Sequence, residues 1–191
     1  MWAAHDDTRS LNYIEVVLKN LKSSNDSILA FSDMFEIPVD KYKDKKKLYY
    51  PFSTTRLNKW QRVKKTAFLQ PYCIYGLWVT DKLRSLPFLH CVWWFDLPLM
   101  MSAAYKGHFL YVPGANFNYF EIKKTSKERA SSDNYIKNFN IMYGVYDLLL
   151  KTIITGYLTG GIKLAFYSFC LVFVKQICNV PGFIYRRFFK W

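Results

Sequence analysis

The chain has 191 residues, of which 51% are apolar and 21% are charged. This composition is typical of a globular protein and excludes a disordered chain, a collagen-like repeat and a small disulfide-stabilised protein. Lys and Arg number 27 against 14 Asp and Glu, which gives a formal net charge of +13, and aromatic residues make up 19%. Such a chain fits a nucleic-acid binder, a protein of a membrane surface, or an enzyme that acts on anionic or lipid-linked substrates.

The charge is unevenly distributed along the chain. Residues 1–38 contain three basic and six acidic residues, whereas residues 135–191 contain seven basic residues and one acidic residue. An acidic start can hold a metal ion, and a basic, aromatic end can face phosphates or lipid headgroups. The four cysteines form no C-x-x-C pair and lie among apolar residues, which favours a reducing, cytoplasmic setting. We expect no secretory signal, because Asp6 and Asp7 interrupt the positions of its basic and apolar regions.

The first elements predicted along the chain are a helix and a strand. A helix that ends near Leu21 is predicted, because apolar residues recur at i, i+3, i+4 and i+7. These residues are Ile14, Val17, Leu18 and Leu21. Ser10 precedes the helix and is suited to cap its N-terminus. Residues 28–31 then predict a short buried strand that ends at Ser32 and Asp33. A helix followed by a strand is typical of an α/β fold.

The middle of the chain alternates basic, aromatic and turn-forming segments. We expect a mobile basic loop first, then a basic helix, a strand interrupted by Gly76, and a short helix or turn. A helix that Gly107 ends and two further strands follow. The corresponding residues are 38–55, 55–68, 72–79, 80–86, 97–105, 109–113 and 116–122.

The C-terminal part is apolar and basic, and it predicts two helical segments separated by Gly160 and Gly161. The uninterrupted apolar run of the second segment, residues 164–174, has only eleven residues. A helix that crosses a membrane needs about 20 such residues. We therefore expect helices that lie in the membrane interface, with a true span as the alternative.

Three positions are candidates for chemistry. Asp6 and Asp7 precede a helix, and adjacent carboxylates at the carboxyl end of a strand can hold Mg²⁺ or Mn²⁺; the alternative is a solvated turn. Asp96 follows three aromatic residues at a helix start, where burial would raise the pKa of a general base; the alternative is a helix N-cap. Gly76 allows a ligand to approach the backbone, or it marks a bulge.

The order of these segments resembles the second half of a family 2 glycosyltransferase, which has the nucleotide-diphospho-sugar transferase (GT-A) fold. Residues 2–7, 12–15 and 28–33 are similar to the acidic metal motif, the following helix and the next strand of that family. Residues 75–83 (YGLWVTDKL) are similar to its YGLF-type segment. Asp96, Gly107 and Val112-Pro113 match an acidic residue that opens a helix, the glycine that ends it, and a following strand.

The resemblance implies an inverting enzyme that transfers a sugar from a nucleotide-diphosphate donor to a cell-surface glycan or lipid-linked acceptor. It implies that Asp6 and Asp7 hold Mg²⁺ or Mn²⁺ and that Asp96 takes the proton of the acceptor hydroxyl. Gly76 would let the donor sugar lie against the backbone. The expected location is the cytoplasmic side of the cell membrane, with its anionic surface as a partner.

The resemblance also implies an α/β fold with a partial, GT-A-like three-layer sheet that lacks its N-terminal β-α-β half and carries C-terminal amphipathic helices. Three regions follow from it. They are residues 1–125 as the C-terminal part of a catalytic domain, 126–134 as a linker, and 135–191 as a membrane-associated tail.

Two other classes of function are weighed against a transferase. The first is a catalytically inactive, basic, membrane-associated fragment. The second is nucleic-acid binding through the basic run at residues 41–65. We expect no nucleic-acid partner, because the basic tail is too apolar for a solvated arm and no RNP-like or helix-turn-helix pattern is present.

Overall fold

A computed structural model describes residues 7–38, 46–47, 52–68, 71–87, 96–121 and 141–188. The mixed α/β fold class predicted from the sequence is confirmed. The chain divides into two compact units, each assembled from segments that are separate in sequence. Unit 1 consists of Met1–Leu57, Tyr72–Ser85 and Gly107–Phe139, and unit 2 consists of Asn58–Pro71, Leu86–Lys106 and Asn140–Trp191.

Unit 1 contains a five-stranded mixed sheet. Its strands are β1 (Thr8–Arg9), β2 (Ser27–Pro38), β3 (Lys46–Lys47), β4 (Leu77–Trp78) and β5 (His108–Glu121). They are ordered β1-β5-β2-β3, and β4 also pairs with β2. The two long strands, β2 and β5, run parallel, whereas the other pairs are antiparallel. The sheet is therefore built around the β2–β5 pair.

Strand β2 is longer than the sequence pattern predicted. It passes through Ser32 and Asp33 and reaches Pro38, because its pairing with β5 continues to Glu121. The buried Ser32 hydroxyl donates a hydrogen bond to the Ala115 carbonyl. Pairing with β5 thus continues the strand through Ser32 and Asp33, two residues that are typical of a strand end.

Strand β5 joins the two strands predicted at residues 109–113 and 116–122. Phe31 pairs with Tyr111 and the next pair is Asp33 with Asn116, so β5 bulges between these pairs. Gly114 lies in the bulge with φ of +93°, a conformation that glycine adopts more readily than other residues. The turn-forming residues therefore bend the strand without ending it.

Helix α1 (Tyr13–Lys22) packs on the sheet through a stripe that shares Val17 and Leu21 with the predicted one. Tyr13, Val17 and Leu21 are buried, whereas Ile14 is about half exposed. Ser10 does not cap this helix: its hydroxyl accepts a hydrogen bond from the Asn116 amide at 3.1 Å, which ties it to β5. The buried residues recur at i, i+4 and i+8, so Tyr13 takes the place of Ile14 and Leu18 on the buried side.

The segment predicted as a strand around Gly76 is mostly a 3₁₀ helix, Pro71–Tyr75, followed by the two-residue strand β4. The predicted short helix is confirmed as α3 (Thr80–Arg84). Most of the predicted loop 38–55 lies outside the described residues, but its Lys46–Lys47 forms β3 beside Phe35 and Glu36. The predicted linker, residues 126–134, also lies outside the described residues.

Unit 2 is helical and is built around the buried helix α4 (Asp96–Lys106). Helix α2 (Lys59–Phe68) and the long helix α5 (Ile141–Phe188) both pack against α4. The buried Arg62 of α2 donates from its guanidinium to the carbonyls of Ala104, at 2.6 Å, and Tyr105, at 3.2 Å. A cation at the carboxyl end of α4 is favourable, because the last carbonyls of a helix lack partners within the helix.

Helix α5 contains the predicted interruption. Gly160 (φ −147°, ψ 17°) and Gly161 (φ +74°, ψ −167°) leave the helical conformation, so α5 consists of a first arm, residues 141–159, and a second arm, residues 162–188. The two predicted helical segments are thus confirmed. Among the described residues, one stretch is long and apolar enough, by length and composition, to cross a membrane: Gly144–Gln176, with 33 residues.

Candidate functional site

Asp96 is the first residue of α4 and is partly buried. Burial raises the pKa of its carboxyl, because removal from water disfavours the charged form. The backbone amides of Asp96 and Leu97 favour the ionised carboxylate and act in the opposite direction. The raised pKa agrees with the sequence prediction, although the aromatic residues Trp93 to Phe95 lie outside the described residues.

A cation that the sequence analysis did not identify acts on Asp96. Lys175, on the second arm of α5, favours the ionised form of Asp96 through its positive charge. Its ammonium donates a hydrogen bond to the Ala67 carbonyl in the last turn of α2, at 2.8 Å. Burial lowers the pKa of Lys175, and the charge of Asp96 raises it again. No local sequence signal links Lys175 to Asp96, because 78 intervening residues separate them.

Asp96 and Lys175 make unit 2 the better candidate for proton chemistry. A carboxylate with a raised pKa accepts a proton more readily than an exposed one, and a neighbouring cation keeps it ionised until the proton is needed. The position of Asp96 at the start of α4 also fits the alternative that it caps this helix. Both roles are compatible, since capping fixes the carboxylate in one place.

Asp7 lies at the other candidate position, in unit 1, next to β1. One of its carboxylate oxygens, Oδ1, accepts a hydrogen bond from the Phe120 amide at 3.3 Å. Asp7 is therefore held at the edge of the sheet where β1 pairs with β5. Asp6, its predicted partner in binding a metal ion, lies outside the described residues.

The described residues do not by themselves form a metal site. Within the described part of the chain, no group of three or more His, Cys, Asp or Glu side chains is arranged to hold a metal ion. The Oδ1 atom of Asp7 is already occupied by the Phe120 amide. We therefore derive no step of the chemistry from Mg²⁺ or Mn²⁺.

Gly76 lies against the central strand of the sheet. A Cβ atom at this position would lie 2.4 Å from the Ala30 carbonyl oxygen and 2.9 Å from Cδ1 of Leu29. These distances are shorter than real Cβ contacts, so close packing against β2 accounts for the glycine. Its role in holding a donor sugar stays a prediction.

A stacked cluster connects the segments that carry Asp7 and Gly76. The guanidinium of Arg9 lies 4.9 Å from the ring centroid of Phe117 and 5.7 Å from that of Tyr13. The ring of Tyr75, adjacent to Gly76, stacks on Phe117 with centroids 5.2 Å apart. Burial raises the pKa of Tyr13 to about 12, so its hydroxyl stays protonated at neutral pH. The sequence analysis missed this cluster, because the strand pairing that assembles it joins residues about a hundred positions apart.

The structure thus places Asp7 and Gly76 in unit 1 and Asp96 in unit 2. No family model, no curated protein and no solved structure matches this chain. The family resemblance therefore rests on the sequence segments alone, and the function rests on the chemistry of the residues described above.

Proposed function

We propose that the chain is a glycosyltransferase, or part of one, that moves a sugar from a nucleotide-diphosphate donor to a cell-surface glycan or lipid-linked acceptor. The observation that carries this proposal is the environment of Asp96. Its carboxylate combines a pKa raised by burial with a cation and two amide donors that favour ionisation. A general base needs these properties, because it must be ionised before the reaction and basic enough to take a proton.

In the proposed reaction, the acceptor hydroxyl oxygen forms a bond to the anomeric carbon of the donor sugar. The bond from that carbon to the diphosphate oxygen breaks, and the electron pair leaves with the nucleotide diphosphate. The hydroxyl proton goes to the Asp96 carboxylate, and Lys175 balances the charge around it before the transfer. Every atom and charge is thus accounted for with groups of the chain and its two substrates.

The remaining roles come from the family resemblance and belong to the same proposal. Asp6 and Asp7 would hold Mg²⁺ or Mn²⁺, and Gly76 would let the donor sugar approach the backbone. A GT-A-like sheet would carry these residues, and the parallel β2–β5 pair with α1 beside it is compatible with such a sheet. The metal is tested directly by whether donor binding requires it.

The location we propose is the cytoplasmic face of the cell membrane, where lipid-linked acceptors are within reach. The apolar stretch Gly144–Gln176 supports membrane association, and the basic charge of residues 135–191 supports an anionic surface as the partner. The four cysteines form no C-x-x-C pair, which favours the reducing side of the membrane.

The experiment compares the 191-residue chain with its Asp96→Asn and Asp81→Asn variants. Asp81 is a matched control, because its side chain is 95% exposed on α3. Donor binding is measured by calorimetry with a panel of nucleotide-diphosphate sugars, with Mg²⁺, with Mn²⁺ and with a chelator. Transfer of labelled sugar to a membrane lipid extract is measured in parallel. We expect Asp96→Asn to bind the donor without transferring it, and Asp81→Asn to do both.

A second candidate function is that of an inactive, basic, membrane-associated protein. The outward-facing apolar side chains of α5 favour it, because they require a membrane but no substrate. A measurement of vesicle binding beside the donor calorimetry separates the two functions: vesicle binding without binding of any nucleotide-diphosphate sugar supports the inactive protein and excludes the transferase.

A further inference from the structure

The buried side of α5 carries hydroxyl side chains as well as apolar ones, whereas its exposed side is largely apolar. Four hydroxyl side chains on α5 are buried, namely Thr152, Thr155, Thr159 and Ser168. The Thr152 hydroxyl donates to the Leu148 carbonyl at 2.7 Å, and the Thr159 hydroxyl donates to the Thr155 carbonyl at 2.7 Å. The hydroxyls of Thr152 and Thr159 therefore face the protein interior and find acceptors there.

The opposite side of α5 is apolar and exposed on both arms. Three exposed residues of each arm define this side: Tyr146, Ile153 and Tyr157 on the first arm, and Ile162, Phe166 and Phe173 on the second. Their spacings of seven and four residues, and of four and seven, place each set on one stripe of its helix. Ile162 is 75% exposed and Phe166 is 70% exposed. Exposed apolar stripes of this kind mark sites of contact with a partner or a membrane.

We propose that this outward face lies at the boundary between the headgroups and the acyl chains of an anionic bilayer, with both arms parallel to the membrane plane and the elbow at Gly160 and Gly161 between them. This mode of lipid contact rests on the membrane association proposed above. It does not depend on the proposed transferase activity.

The geometry of the elbow excludes a single straight span. In a straight helix, Gly156 and Ala165 would lie roughly 13 Å apart along the axis. In the structure, a Cβ on Gly156 would lie only 2.9 Å from the Ala165 Cα, so the arms bend sharply towards each other. Gly161 makes this possible with φ of +74° and ψ of −167°, which other residues rarely adopt.

Neither arm has an apolar stretch long enough to cross the membrane alone. The stretch from Gly144 to Thr159 in the first arm is about 24 Å long at 1.5 Å per residue. The stretch from Ile162 to Val174 in the second arm is about 20 Å long. The hydrocarbon core of a bilayer is about 30 Å thick. Lys175 ends the apolar stretch of the second arm, and its ammonium is held by the Ala67 carbonyl.

The net charge of the C-terminal segment favours lipid over a second protein as the partner of this face. Residues 135–191 contain seven basic residues against one acidic residue, Asp147, which lies 4.0 Å from Lys151. The exposed Lys163 stands between Ile162 and Phe166 on the outward side. A lysine beside apolar and aromatic side chains suits the boundary between anionic headgroups and acyl chains.

The test measures the depth of five outward positions in vesicles of phosphatidylcholine and phosphatidylglycerol. A genetically encoded residue that accepts a spin label replaces, one at a time, Ile153, Tyr157, Ile162, Phe166 or Phe173 in the full chain. These side chains are at least one third exposed, so labelling does not disturb the core. Power saturation with oxygen and a nickel chelate then reports the distance of each label from the lipid phosphates.

We expect all five labels at about 5–10 Å below the phosphates, with no trend along the chain. Labels that become progressively deeper towards the elbow and reach the centre of the bilayer would show insertion and overturn the proposal. Labels that stay exposed to the aqueous chelate would exclude membrane contact altogether.

A protein partner for the same face is tested by sedimentation without lipid. We expect the lipid-free chain to sediment as a monomer once it is diluted. Phe166→Ser should weaken vesicle binding and leave the sedimentation of the diluted chain unchanged. A dimer that persists on dilution, that Phe166→Ser dissociates, and that does not bind vesicles would show that a second copy covers this face.

Discussion

Substitution of Gly76 by alanine tests whether this residue is required for packing or for holding a donor. The added Cβ would lie 2.4 Å from the Ala30 carbonyl oxygen, whereas ordinary contacts are 3.4–4 Å. The obstacle is backbone in the central strand β2, which pairs with β3, β4 and β5, so it cannot rotate away as a flexible side chain would. The neighbouring Leu29, Ala30 and Phe31 are all fully buried.

The strand must therefore move by roughly 1 Å, and overpacking of this kind destabilises a protein by about 1–3 kcal/mol. For a chain of this size, each kcal/mol lowers the melting temperature by roughly 2–4 °C. We expect Gly76→Ala to lower the free energy of unfolding by about 2 kcal/mol in urea denaturation, without any donor present.

Gly114 is the matched control, because its φ is +93° and no atom lies within 4 Å of the position of a Cβ. Its replacement by alanine strains only the backbone, and asparagine, which tolerates positive φ, should recover part of the loss. At Gly76, asparagine should be worse than alanine. If Gly76→Ala unfolds within about 0.5 kcal/mol of the wild type yet loses donor binding, the packing account is wrong and the donor role is right.

Three further predictions concern Asp96, Lys175 and the outward face of α5. Because burial raises the pKa of Asp96, the folded chain binds its proton more tightly than the unfolded chain, and ionisation destabilises the fold as pH rises above about 4. Asp96→Asn should therefore gain stability relative to the wild type between pH 4 and pH 7 in urea denaturation, with no such gain below pH 4; a constant difference would contradict the burial account. Lys175→Met should raise the pKa of Asp96 further and move the pH profile of transfer to higher pH, whereas Lys163→Met, on the exposed side of α5, should leave that profile unchanged. An unshifted profile in Lys175→Met would remove Lys175 from the site. Combined Ile162→Ser and Phe166→Ser should weaken binding to anionic vesicles by about 3 kcal/mol, roughly a hundredfold, since full burial of each side chain contributes about 1.5–3 kcal/mol. Unfolding should change by less than about 0.5 kcal/mol, because these side chains make few contacts with the protein.

Local sequence signals predicted the helices better than the strands. Gly107 ends α4 where the sequence indicated, and Gly160 and Gly161 interrupt α5, because glycine is a poor helix former wherever it occurs. The extent of β2 and β5 was not predictable, since residues that favour turns were retained in strands by pairing with a distant partner. The choice of stripe on α1 had the same cause: whether Tyr13 or Ile14 is buried depends on the sheet that the helix covers.

The candidate site was predictable only in part. Asp96 stood out from the sequence because it follows aromatic residues at a helix start, and its raised pKa agrees with that pattern. Lys175 had no such signal, because it approaches Asp96 only once α5 packs against α4. The cluster of Arg9, Phe117 and Tyr75 likewise depends on pairing between β1 and β5. Residues that become neighbours through tertiary packing leave no spacing pattern to detect.

The most direct test of the central claim measures sugar transfer by the wild-type chain and by Asp96→Asn at equal donor occupancy. Labelled nucleotide-diphosphate sugars are incubated with a membrane lipid extract, and binding of each donor is determined separately by calorimetry. The proposed function predicts that the wild type labels a lipid or glycan acceptor and that Asp96→Asn binds the same donor without labelling it. Transfer by Asp96→Asn at the wild-type rate, or no binding of any nucleotide-diphosphate sugar by the wild type, would contradict it.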